Sequence, residues 1–390
     1  MKLESYILND FFEILNKINA NYCVMNNYKN MPEVIPSDVD FAVDIQTFNK
    51  LDSLIIKLAK KHDISVTQKI WHGYNKCAYI LSPLELDDYF WLQLDFFVDF
   101  SARGFPNLMP NKMMLDRKIK YKNFYIPRSE IEVPFILQRR IFKGDIEEKH
   151  LKTILFLYNK NTETVQKGII DIFGKEEGKS LINFIESKKI EKFQQNFSTY
   201  RKKLKKISLD NTNLIYRLKY LIWQVIRAFY RFYYPTGLSI AFVGENTNLK
   251  KEFIEKFNNK ISGSFHGSSY FFPKNIIEYL QNILFKDYWS RVTKRKTLWN
   301  LDTSKSNWKR LFNLRFIPKT DIIVYMNDDI SEKSENNIEL ISFVLTKDKK
   351  QNEILMKKCI YIILKKQSIR TQRHLMSKVS PTAKERIIDV

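Results

Sequence analysis

Apolar residues recur at helical spacing over residues 3–19, through Leu3, Ile7, Phe11, Ile14, Leu15 and Ile18, and the apolar run Tyr22 to Met25 follows. This pattern predicts a helix and then a strand. After a loop holding Pro32 and Pro36, residues 37–44 (SDVDFAVD) alternate strictly, which predicts a strand with Asp38, Asp40 and Asp44 on one face and Val39, Phe41 and Val43 on the other. Helical spacing resumes over 46–62 through Phe48, Leu51, Leu54, Ile55 and Leu58. Two strands are expected at 64–70 and 76–81 around Gly73, and a long aromatic strand at 91–100, where Asp95 and Asp99 share a face.

From about 132 to 232 the periodicity is helical, with Pro134 suited to a helix's first turn and Gly174 and Gly178 as breaks. The polar, basic stretch 195–211 reads as a linker. Helix 212–233 sets Arg217, Tyr220, Gln224, Arg227 and Arg231 on one face, and Leu214, Leu218, Leu221, Val225, Phe229 and Phe232 on another. Such a helix either lies on an anionic membrane or packs between two domains, and its direct run into the next strand favours packing. Past Pro235-Thr236-Gly237, the run Leu238 to Val243, a turn from Gly244 and a helical pattern at 249–258 open a second α/β unit. A buried strand at 321–326 and a helix at 351–366 extend it. The expected class is therefore α/β, with segments 1–130, 131–234 and 235–390.

Composition narrows the function. The 390 residues, 44% hydrophobic, suffice for two or three cored domains, and the formal charge is +22. Residues 1–100 carry five more acidic than basic residues, so the basic excess lies in the remainder. An acidic head on a basic body fits a metal-binding carboxylate site joined to a part that meets anions. Abundant Lys, Asn and Ile also fit an AT-rich coding bias, with lysines merely solvated. Cys23, Cys77 and Cys359 are far apart and give neither a disulfide framework nor a zinc site. With no signal-peptide pattern and no long uncharged apolar window, a cytoplasmic protein is expected, with peripheral contact at the inner membrane as an option.

The chemistry centres on the acidic strands. Carboxylates at i and i+2 on a strand point the same way, and a third from a neighbouring strand completes a site for one or two Mg²⁺ with oxygen ligands. Asp38 and Asp40 are the pair. Asp95, in the middle of LQLDFF, is the expected third ligand, with Asp99 as the fallback. Phosphoryl and nucleotidyl transfer use this arrangement. Arg139 and Arg140 either meet nucleotide phosphates or form a solvated helix face. His72 is assigned no role.

Through IPSDVDFAVD and LQLDFF, residues 20–100 resemble the nucleotidyltransferase-fold, polymerase-β-like superfamily. The resemblance implies that Asp38, Asp40 and Asp95 are both metal ligands and catalytic residues, with a nucleoside triphosphate as donor or ligand. The superfamily usually has Gly-Gly or Gly-Ser upstream to hold the triphosphate; here Asn26-Asn27 stands at about that place and Ser37 directly precedes Asp38. Residues 236–370, through PTGLSIAFVGENTNLKKEF and IPKTDIIVYMNDD, are similar to thymidylate-kinase-like P-loop domains. The loop keeps Gly244 and Lys250, but Leu249 replaces the second glycine and Lys251 the Ser/Thr. It reads as a degenerate kinase fold in which Gly244 and Lys250 meet a phosphate-bearing ligand, and Lys286-Asp287-Tyr288-Trp289 is a trace of a substrate motif.

A head, helical middle and tail of these kinds are similar to bacterial proteins associated with surface-polysaccharide biosynthesis, capsule or lipopolysaccharide. That resemblance implies a transferase passing nucleotide or phosphate to a glycan precursor or small-molecule acceptor. The rival readings are a non-catalytic nucleotide-binding scaffold, a small-molecule kinase and a nucleic-acid-directed enzyme. Nucleic acid is not the expected partner, because no RRM, KH or zinc motif is present and the basic residues are spread. Donor, acceptor and oligomeric state stay open.

Overall fold

The computed structural model describes residues 2–84, 89–233, 236–244, 248–265, 267–272, 276–282, 286, 288–293, 298–303, 321–326, 339–343, 345 and 348–376. The fold is mixed α/β. The chain begins α1 (Leu3–Lys17), β1 (Tyr22–Val24), β2 (Val39–Val43), α2 (Ile45–Lys61), β3 (Ile64–Gly73), β4 (Lys76–Pro83) and β5 (Leu92–Phe97). Two hairpins and a short helix follow: β6 (Phe100–Ala102), β7 (Phe105–Met109), α3 (Asn111–Leu115), β8 (Lys118–Tyr121) and β9 (Phe124–Pro127). Helices α4 (Ser129–Lys143), α5 (Glu148–Lys160), α6 (Thr162–Phe173), α7 (Lys175–Ser187), α8 (Ile190–Gln195), α9 (Phe197–Asp210) and α10 (Leu214–Tyr233) come next. The rest is β10 (Leu238–Val243), α11 (Asn248–Ile261), β11 (Ser268–Phe271), α12 (Ile276–Gln281), α13 (Tyr288–Thr293), β12 (Leu298–Thr303), β13 (Ile322–Met326), β14 (Glu339–Phe343) and α14 (Lys349–Met376).

The chain forms two compact units. The first comprises Met1–Leu51, Trp71–Cys77 and Leu94–Val225, and the second Asp52–Ile70, Ala78–Gln93 and Ile226–Val390. The N-terminal sheet runs β1-β2-β5-β4-β3. β1 is antiparallel to β2, and β2 is parallel to β5 in a register that sets Asp40 against Asp95 and Phe41 against Phe96. Aromatic packing holds that register. Phe41 stacks on Phe96 with centroids 4.8 Å apart, and Phe11 of α1 meets both edge-on at 5.8 and 5.9 Å. Because strand side chains alternate, burying Phe41 and Phe96 under α1 turns Asp40 and Asp95 to the opposite face.

The helical part of the first unit closes a large core with that sheet, through Phe97, Phe135, Ile141, Phe173, Phe193 and Leu204. Two expectations change here. Residues 195–211 are not a linker: α9 buries Tyr200, Leu204 and Ser208, one residue per turn, while Arg201 donates to the Ile141 carbonyl at 2.8 Å, Lys203 pairs with Glu177 at 3.3 Å and Lys202, Lys205 and Lys206 face outward. Pro134 lies inside α4 rather than in its first turn. Its missing N–H leaves the Glu130 carbonyl without the usual donor four residues on. Gly168 of α6 packs onto that carbonyl so closely that a Cβ would stand 2.2 Å from it.

In the second unit β11-β12-β10-β13-β14 form an all-parallel sheet. α14 packs there with the β3 segment 64–70. Ser65 donates to the Leu364 carbonyl at 3.2 Å, and Gln367 and Thr371 donate to the Thr67 carbonyl at 2.9 and 3.1 Å. Of the motif residues, Pro235, Glu245-Asn246-Thr247, Asp287, residues 317–320 and residues 327–329 lie outside the described residues. No described helix is long and apolar enough to cross a membrane.

One buried acid in α4 makes the first unit sensitive to pH. Glu132 is buried and accepts the Tyr28 hydroxyl at 2.6 Å, and burial pushes its carboxyl from 4.5 up to about 7, against the pull of that hydrogen bond. The folded state then holds more protons than the unfolded state between these values. Stability should fall as pH rises from about 4.5 to about 7 and level off above. Urea unfolding across that range checks this: Glu132→Gln should flatten this part of the profile, and an unchanged slope would contradict the assignment.

Candidate functional site

The parallel pairing of β2 with β5 brings the acidic residues together. Asp40 sits in β2, Asp38 just ahead of that strand, and Asp95 inside β5. One oxygen from each carboxylate lies within 4.8 Å of the others, and these three are the acidic group among the described residues that could hold a metal ion. The strand is shorter than the expected 37–44, so Asp38 precedes it and Asp44 follows it. Asp44 turns to accept the Thr47 amide at 2.8 Å at the start of α2. Asp99 also leaves the site: β5 ends at Phe97, and Asp99 accepts the Asn111 amide at 3.0 Å and the Tyr216 hydroxyl at 2.8 Å. Ser37 donates to Asp38 at 3.0 Å, which orients the most exposed of the three carboxylates.

Cations balance the cluster. Arg139 of α4 is not on a solvated face: its guanidinium hydrogen-bonds Asp40, and its second amino nitrogen lies 3.8 Å from Asp38. Arg140, its neighbour, turns away to Asp145 at 3.1 Å and His150 at 3.0 Å. Burial raises the Asp40 pKa, and Arg139 pulls against it. For Arg139 itself, burial lowers the pKa, but the charges of Asp40 and Asp38 outweigh it and the net shift is upward. Lys76, at the start of β4, adds an ammonium whose pKa is lowered by burial against the pull of Asp40 and Asp95. His72 of β3 brings Nε2 to 4.0 Å from Asp95.

Sequence reasoning gave His72 no role and passed over Lys76. Both flank the hairpin around Gly73, whose second strand β4 lies beside β5. The turn after β1 also borders the site, since the Met25 amide donates to the Asp40 carbonyl at 2.8 Å. Asn26 and Asn27 follow with φ of 77° and 54°. Left-handed backbone there is what glycine adopts most readily, and asparagine tolerates it better than most residues.

The second motif has a different geometry. Gly244 ends β10, and a Cβ on it would stand 2.3 Å from the Met326 carbonyl, so close approach to β13 explains the glycine. Lys250 is fully buried in the first turn of α11. It pairs with Asp302 at 2.5 Å and donates to the Gly244 carbonyl at 3.2 Å, while Tyr270 donates to the other Asp302 oxygen at 2.6 Å. A phosphate reaching this lysine would have to displace Asp302.

No family model matches the chain. It is 25% identical over 340 residues to protein Ycf2 of Physcomitrium patens, an alignment covering 83% of this chain. The chain spans 13% of the length of that protein. The crystal structure of JHP933 from Helicobacter pylori is similar over 55% of this chain and 96% of JHP933, at 10% identity and a TM-score of 0.30. Neither likeness establishes a family.

The Lys250–Asp302 pair can be tested as a structural element. Removing one partner of a buried ion pair costs about 3–5 kcal/mol, because the other charge stays buried. Lys250→Met should lose stability on that scale, and Lys250→Met with Asp302→Asn should recover most of it in denaturant titrations. A mild single variant would show that the pair does not support the fold.

Proposed function

We propose that this protein is a metal-dependent nucleotidyl- or phosphoryl-transferase centred on Asp38, Asp40 and Asp95. The observation that carries the reading is the meeting of three carboxylates within 4.8 Å across two adjacent parallel strands, with a guanidinium laid on two of them. The donor set is all hard oxygen, which suits Mg²⁺ rather than a thiolate- or imidazole-seeking metal. Asp38, Asp40 and Asp95 would hold it. Bound there, Mg²⁺ supplies charge neutralisation for the donor phosphates and a more acidic acceptor hydroxyl.

The protein's own groups do the rest. Asp95 sits beside Asp40 on the face of the sheet opposite Phe96 and accepts the proton of the attacking hydroxyl, with His72 beside it. Arg139 has the planar fork that binds phosphate oxygens two at a time, and it turns from the carboxylates to the donor phosphate once their charge is met otherwise. Lys76 adds positive charge where the leaving phosphate gathers negative charge. The Asn26-Asn27 turn takes the place at which related folds use small residues to hold a triphosphate.

The acceptor we propose is a hydroxyl of a glycan precursor or small molecule in bacterial surface-polysaccharide biosynthesis. The scaffold reading rests on the Lys250–Asp302 pair, which occupies the second phosphate site with the protein's own carboxylate. Melting curves with nucleoside mono-, di- and triphosphates, with and without Mg²⁺, test whether the carboxylate cluster holds a nucleotide as the transferase reading requires. At ligand 100-fold above Kd the expected stabilisation is about 2.7 kcal/mol. It should need Mg²⁺ and vanish in Asp38→Asn, whose own stability stays near wild type because Asp38 is partly exposed. No shift with any nucleotide, or an equal shift in the variant, would refute the transferase reading.

A further inference from the structure

The long helix α10 is inverted relative to an ordinary surface helix. Its polar and aromatic face holds it to the fold: Tyr216 donates to Asp99, Trp223 packs against Trp71 at 5.6 Å, and Tyr220 and Arg231 are buried. The apolar stripe is largely exposed, although Phe232 also meets the Tyr288 ring edge-on at 5.4 Å. Leu214, Leu218, Leu221, Val225, Phe229 and Phe232 are 49–69% exposed. They form a continuous band along 20 residues, about 30 Å at the helical rise.

The charges on this helix select its occupant. α10 exposes Lys219, and Arg217 and Arg227 partly, and has no acidic residue, and the preceding helix α9 presents Lys202, Lys205 and Lys206 to solvent. A second copy meeting this stripe would set two such cationic helices side by side with no carboxylate on either to pair with. A layer that is apolar inside and anionic at its surface satisfies both the stripe and the basic groups beside it.

We propose that α10 docks this protein on an anionic lipid bilayer, lying in the plane of the headgroups with its Leu/Val/Phe stripe among the acyl chains. The inference stands on the exposed stripe and the charge of α10, independently of the carboxylate site.

Sedimentation with vesicles tests it, using phosphatidylcholine alone and phosphatidylcholine with about one-third phosphatidylserine, on the full chain. The wild type should bind the anionic vesicles at least tenfold more tightly than the neutral ones, and the difference should shrink as salt rises. Leu221→Glu with Val225→Glu should lower that binding at least tenfold. Both positions are exposed, so circular dichroism and melting should match wild type; Leu221→Ala with Val225→Ala and Phe229→Ala gives the same test without added charge. Weak or equal binding to both vesicle types, or undiminished binding by a folded variant, would overturn the proposal. So would light scattering showing a wild-type dimer that the Glu variant converts to a monomer, which would assign the stripe to a second copy.

Discussion

The register of β2 against β5 is the constraint on which the first unit's site depends. It is fixed on one face of the sheet by Phe41 stacked on Phe96 beneath Phe11, and its consequence appears on the other, where Asp40 stands beside Asp95. A slip of one residue would exchange the two faces, putting carboxylates under α1 and aromatic rings in the site. The apolar core and the acidic cluster are thus two sides of a single pairing.

Gathering carboxylates carries a cost that the structure meets with cations. Desolvation works against the charge on Asp40, and repulsion by Asp38 adds to it. Arg139 arrives from a helix 99 residues later in the chain and Lys76 from the edge of a hairpin. The helical region is therefore part of the site's electrostatics. The Glu130 carbonyl left free by Pro134, and Gly168 packed against it, set how closely α6 backs the helix that carries Arg139. In the second unit the same accounting is closed internally, because Lys250 and Asp302 neutralise each other in full burial.

Much of the α/β pattern was legible from periodicity, and so was the acidic trio, because carboxylates at i and i+2 on an alternating strand have few other uses. Asp99 misled because alternation continues past the residue at which the strand bends away. Arg139 was hidden because helical spacing alone does not say which arc of α4 is covered. α9 looked like a linker because four lysines and an arginine crowd its centre, although Tyr200, Leu204 and Ser208 recur once per turn and are enough to seat it. For α10 both faces were read correctly, but nothing in the sequence says which one the fold covers. That is decided by Asp99 and Trp71, which lie far away in the chain and hold the polar side.

The central claim is that Asp38, Asp40 and Asp95 form one divalent-cation site. Manganese, followed by electron paramagnetic resonance as it is titrated into the wild-type protein and into Asp38→Asn and Asp95→Asn, tests it directly. The account predicts saturable uptake of one or two ions per chain, strongly weakened in each folded variant. Absence of specific uptake by the wild type, or uptake undiminished in both variants, would contradict it.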